Sequence, residues 1–104
     1  MSENIKNLTA QDFDSFISEG NVVIDFWAPW CGPCRMQSQI LNQGASDFAA
    51  ANIKVGKVNI DEEGALATRY GVSSIPTLLI FKNGKLEKTF VGIQQADSLT
   101  KQFA

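Results

Sequence analysis

The sequence predicts an α/β protein, a three-layer α/β/α sandwich over a mixed five-stranded sheet flanked by four helices. Strand and helix patterns alternate along the chain, which favours parallel strands joined by right-handed crossovers. Residues 21–27 are almost continuously apolar, as in a strand covered on both faces. Asn83-Gly84 lies between two apolar runs and indicates a hairpin, which adds an antiparallel edge.

The first strand and the first helix precede the apolar run at 21–27. Residues 5–8 form a short, weak strand pattern. Thr9 can cap a helix, with Asp12 in the position of a capping box, and Gly20 ends the pattern. The apolar face of this helix consists of Phe13, Phe16 and Ile17.

A long helical pattern follows Pro29 and the two cysteines. Its apolar residues recur at spacings of three, four and one, which gives a stripe with a period near 3.6 residues. The stripe consists of Met36, Ile40, Leu41, Ala45, Phe48 and Ala49. Residues 53–60 form the next strand, and Asp61 can cap a short helix that ends at Gly71. The apolar face of that helix consists of Leu66, Ala67 and Tyr70.

The last third of the chain contains the hairpin and a final helix. Strands at 77–81 and 86–91 are joined around Asn83-Gly84. After Gly92, apolar residues at helical spacing predict a short last helix. The predicted order is therefore βαβαβαββα, and the 104 residues have the size of a single domain spanning 1–104.

Composition and charge exclude several functions. Nine Lys and Arg against eleven Asp and Glu give a net charge of −2, which offers no electrostatic reason to bind nucleic acid or an anionic membrane. The absence of histidine removes Ser-His-Asp and Cys-His catalysis and every histidine-containing metal site. The polar start and the lack of a long apolar run predict a soluble, cytoplasmic protein.

The candidate for chemistry is Trp30-Cys31-Gly32-Pro33-Cys34, between a buried strand and the start of a helix. Free backbone N–H groups at a helix N-terminus favour a thiolate, so we expect a lowered pKa for Cys31. The i, i+3 spacing lets Cys34 attack a mixed disulfide formed on Cys31. Pro33 fits the first helical turn, where a missing N–H costs nothing.

Three other interpretations of the cysteine pair are open. A disulfide closing so short a loop would stabilise the fold by only roughly 2 kcal/mol, which is little for a chain with its own core. Two unrelated buried cysteines fit poorly with this motif at a strand–helix junction. The pair could also be half of a metal or iron–sulfur site shared across a dimer. The spacing and context favour redox chemistry.

Four segments carry a resemblance to a known family. They are residues 23–36 around the cysteines, Val58-Asn59-Ile60-Asp61, Tyr70-Gly71-Val72 with Ser74-Ile75-Pro76-Thr77-Leu78, and Phe81-Lys82-Asn83-Gly84. With these motifs in order, the chain resembles the thioredoxin family over essentially its whole length. The resemblance implies that fold, protein-disulfide reductase activity without an organic or metal cofactor, disulfide-containing protein substrates, a monomer, and recharging by a thioredoxin reductase.

Asp25 interrupts the apolar strand and is the candidate proton acceptor. Apolar neighbours on both sides indicate burial, which raises the pKa of a carboxyl group toward neutrality. Its other interpretation is a strand-end residue that reaches solvent. The resemblance implies that Asp25 takes the proton of Cys34, and that Lys57 lies nearby and tunes it. Lys57 could equally be an ordinary strand lysine.

The resemblance also implies a surface that binds substrate. Pro76, at the start of a strand, would follow a cis bond and face the cysteines, although X-Pro bonds are mostly trans. The backbone of Ile75 would pair with an extended substrate segment. The other residues implied in this surface are Trp30, Gly32, Pro33, Ser74 and Gly92. Gly92 could instead serve as a strand-end bend, and Trp27 is predicted to be a packing residue.

The sequence departs from the family pattern after the second cysteine. Gln39 occupies the position where the family usually has a helix-kinking proline, so we expect a straighter helix. Gln37 and Ser38 replace residues that are commonly apolar, and we expect them to alter the surface that partners contact.

Two functions other than a reductase are open. One is a binding module with an incidental disulfide, and the other is a disulfide oxidase or isomerase. Gly32-Pro33 between the cysteines resembles the reducing branch.

Overall fold

The computed structural model of the protein describes residues 5–104. The strands are β1 (Ile5–Asn7), β2 (Asn21–Trp27), β3 (Ile53–Asn59), β4 (Thr77–Lys82) and β5 (Lys85–Val91). The α-helices are α1 (Phe13–Ile17), α2 (Gly32–Gln43), α3 (Ala45–Ala50), α4 (Gly64–Arg69) and α5 (Ala96–Thr100), and a 3₁₀ turn at Lys101–Phe103 follows. Within residues 5–104, none of these helices has the length and apolarity needed to cross a bilayer.

The five strands form one mixed sheet in the order β1-β3-β2-β4-β5, which confirms the predicted sheet. β1 and β2 both pair with β3 in parallel, and β5 forms an antiparallel hairpin with β4. One predicted pairing is wrong. The β3–α4–β4 segment was expected to be a parallel crossover unit, but β4 lies beside β2 and runs antiparallel to it.

The start of β4 lies beside the end of β2. β3 ends at Asn59, which is paired with Trp27, and Thr77 at the start of β4 lies opposite Phe26. The loop before β4 consequently lies at the same edge as the cysteines.

The helices cover both faces of the sheet, so the three-layer arrangement is confirmed. On one face, α1 and α4 pack against alternate residues of β2 and β4, including Val22, Ile24 and Phe26. On the other face, the core includes Val23 of β2 with residues of α2, α3 and α5. β2 is thus buried on both sides, as its continuous apolar run predicted.

The predicted long helix is two helices, so within residues 5–104 the sheet is flanked by five α-helices rather than four. α2 runs without interruption through Gln39 and ends at Gln43, and Gly44 separates it from α3. A Cβ on Gly44 would lie 2.9 Å from the Cβ of Ala96, so only glycine allows α5 to approach this closely. Met36 and Ala49 were assigned to the buried stripe, but both are exposed.

Two helix starts were predicted too early, whereas the hairpin turn was predicted correctly. Asp12 accepts a hydrogen bond from the N–H of Thr9 as in a capping box, but α1 begins only at Phe13. Similarly, α4 is preceded by Glu63 rather than capped by Asp61. In the hairpin, Asn83 and Gly84 have φ angles of 51° and 84°, the left-handed conformation that a two-residue turn requires.

Candidate active site at the amino terminus of helix α2

Cys31 and Cys34 lie at the junction of β2 and α2 and are joined by a disulfide bond. The N–H of Cys31 donates to the carbonyl of Ala28 (3.2 Å), which turns the chain between strand and helix. Cys31 is the N-cap of α2, and its Sγ accepts the N–H of Cys34 at 3.2 Å. Pro33 stands in the first turn, where the helix needs no N–H. The Cys31 sulfur therefore lies where the helix terminus stabilises negative charge.

The loop before β4 passes directly beside this sulfur. The bond between Ile75 and Pro76 is cis, as the resemblance implied. The carbonyl oxygen of Ile75 lies 3.9 Å from Cys31 Sγ. Pro76 is buried and its carbonyl accepts the N–H of Gly92 at 2.8 Å, which connects this loop to the end of β5. Gly92 has a φ of 99°, a conformation that favours glycine.

The exposed part of the site is formed by the remaining predicted residues. Trp30 is 67% exposed, and its Nε1 donates to both carboxylate oxygens of Asp61, at 3.1 and 3.3 Å. Asp61 thus orients the indole ring, a role that its interpretation as a helix cap missed. Gly32 and Ser74 are also exposed, and Pro33 lies between the two cysteines on the same surface. Of the seven residues predicted for the docking surface, five lie in the three loops at this edge, and Gly32 and Pro33 lie in the first turn of α2.

Asp25 lies on β2, the strand that leads to the cysteines, and is completely buried, with 0% of its surface exposed. Its side chain points to the α2 side of the sheet, since side chains alternate along β2 and Val23 faces that layer. Among residues 5–104, neither carboxyl oxygen of Asp25 has a hydrogen-bond partner. Burial raises the pKa of Asp25 to about 7, and the charge of Lys57 opposes that rise. The alternative of a solvent-facing Asp25 is wrong.

Lys57 is the register partner of Asp25 on the neighbouring strand β3. Its Nζ donates to Ser38 Oγ at 2.7 Å and lies 4.8 Å from the ring centroid of Trp27. Half-burial lowers the pKa of Lys57, and the negative charge of Asp25 partly offsets that effect. Trp27 packs against the small cluster of Ala28, Cys31 and Cys34, as a packing residue would.

Gln37 does not form part of the partner-facing surface, contrary to the prediction. Its side chain is 0% exposed. The amide donates to the carbonyl of Gln94 (2.9 Å) and accepts the N–H of the same residue (2.7 Å). Because Gln94 follows Gly92 by two residues, Gln37 attaches the loop after β5 to helix α2. Ser38 likewise bonds inward, to Lys57.

This arrangement can carry dithiol–disulfide exchange. It combines a sulfur at a helix N-terminus, a second sulfur one turn later and a buried carboxyl group with a pKa near neutrality. Because the two sulfurs are bonded to each other, they are not available as metal ligands in this state. The chemistry resides in the cysteine pair itself.

Comparisons with known proteins agree with this chemistry. The family model described as Thioredoxin matches residues 4–104. The thioredoxin of Chlamydia caviae is 46% identical over 97 residues, covering 93% of each chain. That of Pseudomonas aeruginosa is 45% identical over 94 residues, covering 88% of this chain and 86% of its own.

A solved structure is similar as well. The crystal structure of Malassezia sympodialis thioredoxin (Mala s 13) has a TM-score of 0.86 at 30% identity, covering 96% of this chain and 94% of that one. Such proteins act on disulfides and usually depend on a reductase. The chain therefore belongs to the thioredoxin family and is a thiol–disulfide oxidoreductase that reduces protein disulfides through its Cys31–Cys34 pair.

Proposed function

We propose that Cys31 is the attacking cysteine and Cys34 the resolving cysteine of this reductase. The Cys31 thiolate attacks one sulfur of a substrate disulfide, forms a mixed disulfide and releases the first substrate thiolate. Cys34 then loses its proton and attacks Cys31 Sγ. This step forms the Cys31–Cys34 disulfide and releases the second substrate thiolate, so that two electrons pass to the substrate. A reductase returns two electrons to the pair.

The observation that carries this assignment is the position of the Cys31 sulfur as the N-cap acceptor of α2. A thiolate there is stabilised by the free N–H groups of the first turn, including that of Cys34. Both cysteines are nearly buried, and Cys34 lies within the helix rather than at its N-cap. Attack by Cys31 on the substrate and resolution by Cys34 follow from this asymmetry.

Asp25 is the proton acceptor for Cys34 in this proposal, and Lys57 tunes it. A buried carboxylate with a pKa of about 7 can take a proton near neutral pH and release it again. The substrate binds in extended form along Ile75, beside the Cys31 sulfur. Trp30, Gly32, Pro33, Ser74, Pro76 and Gly92 complete this docking surface.

The wider assignments are part of the same proposal. The protein acts as one domain and as a monomer, is recharged by a thioredoxin reductase, and works in the cytoplasm. The net charge of −2 supports protein substrates rather than nucleic acid or membrane. Size-exclusion chromatography with light scattering tests the monomer, and NADPH-coupled assays with purified reductases test the partner.

Trapping of the mixed disulfide tests the two cysteine roles. Cys34→Ser should accumulate a covalent complex with a disulfide-containing protein such as insulin, because the resolving thiol is missing. Cys31→Ser is the matched control and should form none, because it lacks the attacking thiol. Complex formation by Cys31→Ser alone would show that the two roles are reversed. Equal trapping by both variants would show that the cysteines do not have distinct roles.

A further inference from the structure

The side-chain amine of Lys57 is held by a neutral hydroxyl group. Its Nζ donates to Ser38 Oγ at 2.7 Å. Ser38 lies on α2 one turn after Cys34, so the serine and the cysteine line the same cavity of about 270 Å³ together with Lys57. A second cavity of about 330 Å³ is also lined by Lys57. The lysine thus borders open space, and within it the ammonium group donates to Ser38.

The carboxyl group of Asp25 is the other acceptor near this lysine. Asp25 and Lys57 are register partners on adjacent parallel strands. Nevertheless, both Asp25 oxygens are buried without a hydrogen-bond partner among residues 5–104. An ammonium group at the paired position of the adjacent strand would ordinarily contact an unpartnered carboxyl group, since opposite charges attract strongly in a partly buried site. Here the ammonium group donates to Ser38 and makes no hydrogen bond to Asp25.

We propose that Ser38 is a positioning residue that keeps the Lys57 ammonium near Asp25 but out of direct contact with it. This inference rests on the proposed role of Asp25 as proton acceptor for Cys34. A direct ion pair would hold Asp25 ionised and make it a weaker base toward Cys34. Removal of the lysine would leave the carboxyl group neutral over a wider pH range. The hydrogen bond to Ser38 keeps the lysine between these two extremes, so that its charge favours ionisation of Asp25 without fixing it.

The charges around this group limit what else could produce the effect. On α2, Arg35 lines the cavity beside Ser38, and it is exposed. After β3, Glu62 lines the second cavity and is also exposed. Solvent screens both of them more than it screens the buried Asp25. β1 presents the neutral Asn7 as the partner of Lys57, so Asp25 is the buried charge to which a released lysine would turn.

The test is a titration of the Asp25 carboxyl carbon by NMR in the oxidised protein, where no turnover is involved. Ser38→Ala removes the acceptor and keeps a residue that favours helix. We expect the midpoint to fall by about one pH unit, at the lower end of the effect of an opposite charge in contact. Ser38→Thr retains the hydroxyl and should restore the original midpoint.

A variant without the lysine separates positioning from simple structural disturbance. Lys57→Met should raise the midpoint of Asp25, and adding Ser38→Ala to it should cause no further change. The proposal is overturned if Ser38→Ala leaves the midpoint unchanged or raises it, or if the same fall occurs in the Lys57→Met background.

Kinetics distinguish a failure of this proposal from a failure of the proposed function. The pH dependence of disulfide reduction should move to lower pH in Ser38→Ala by the same amount as the NMR midpoint. A moved midpoint with an unmoved rate profile would leave Ser38 as a positioning residue but would remove Asp25 as the proton acceptor. An unmoved midpoint, with reduction slowed by Asp25→Asn, would refute the role of Ser38 alone.

Discussion

Substitution of Asp25 by asparagine should stabilise the protein at pH 8 and have little effect near pH 4. Asparagine keeps the shape of the side chain and removes its ionisation. Asp25 is fully buried, and its carboxyl oxygens have no hydrogen-bond partner among residues 5–104, so its charged form is costly in the folded state. The two pH values select the neutral form and the charged form of the same group.

The magnitude follows from the pKa of Asp25, which burial raises from 3.8 to about 7. Between these two values the folded protein holds a proton that the unfolded chain has lost. Stability must therefore fall as pH rises through this range, and the loss is complete above pH 7. A difference of about three pH units, at about 1.4 kcal/mol each, amounts to about 4 kcal/mol. Below pH 3.8 both states are protonated and the loss disappears.

Urea titrations of both proteins at pH 4 and pH 8, with the disulfide intact, measure this effect. The variant's gain in unfolding free energy should be larger at pH 8 than at pH 4 by about 4 kcal/mol. Other carboxyl groups change the stability of both proteins equally and cancel in the comparison. The same gain at both pH values would show that Asp25 does not change its ionisation on folding, and the proposed catalytic role would be lost with it.

Three further predictions concern the cysteines and helix α2. In the reduced protein, iodoacetamide near neutral pH should alkylate Cys31 much faster than Cys34, as mass spectrometry of the peptides would show; equal rates would contradict the helix-terminus argument. Gln37→Leu should lower the free energy of unfolding by about 2 kcal/mol, because it leaves the N–H and carbonyl of Gln94 unpaired. The exposed Gln39→Leu, the matched control on the same helix, should change it by less than about 0.5 kcal/mol. Gln39→Pro should cost less than the roughly 3 kcal/mol of an ordinary helix interior, since the family tolerates proline there, and a full loss in a denaturant titration would show that α2 requires the N–H of this residue.

The local signals in the sequence predicted most of the fold. The strand at 21–27 was predicted residue for residue, because a strand buried on both faces has a continuous apolar pattern. The turn at Asn83-Gly84 was predicted because its backbone conformation strongly favours these residue types. Both signals depend only on neighbouring residues.

The features that were missed depend on residues far apart in the sequence. The break at Gly44 reflects close packing against α5, more than fifty residues later. The direction of β4 is defined by its pairing with β2, more than fifty residues earlier in the chain, and the start of α4 was predicted too early. Local periodicity contains neither kind of information.

The site was predicted in its chemistry but not in its supporting contacts. The cysteine spacing predicted the Cys31–Cys34 pair, and the carboxyl group within an apolar strand predicted the burial of Asp25, whose catalytic role stays a prediction. Gln37 was assigned to the partner-facing surface because it replaces a residue that is commonly apolar in the family, whereas its side chain is buried and hydrogen-bonded to the backbone of Gln94. A polar residue within the i, i+3, i+4 stripe was the available signal, since Gln37 lies between Cys34 and Leu41 on the buried face.

The reduction potential of the Cys31–Cys34 pair tests the central claim most directly. The protein is equilibrated with defined ratios of reduced and oxidised glutathione, and the fraction of disulfide is read after acid quenching and alkylation. We expect a potential of about −270 mV, which is the figure for thioredoxin itself and is not calculated from this structure. A potential near −120 mV, as in strong disulfide oxidants, would contradict a reductase that transfers electrons to protein disulfides.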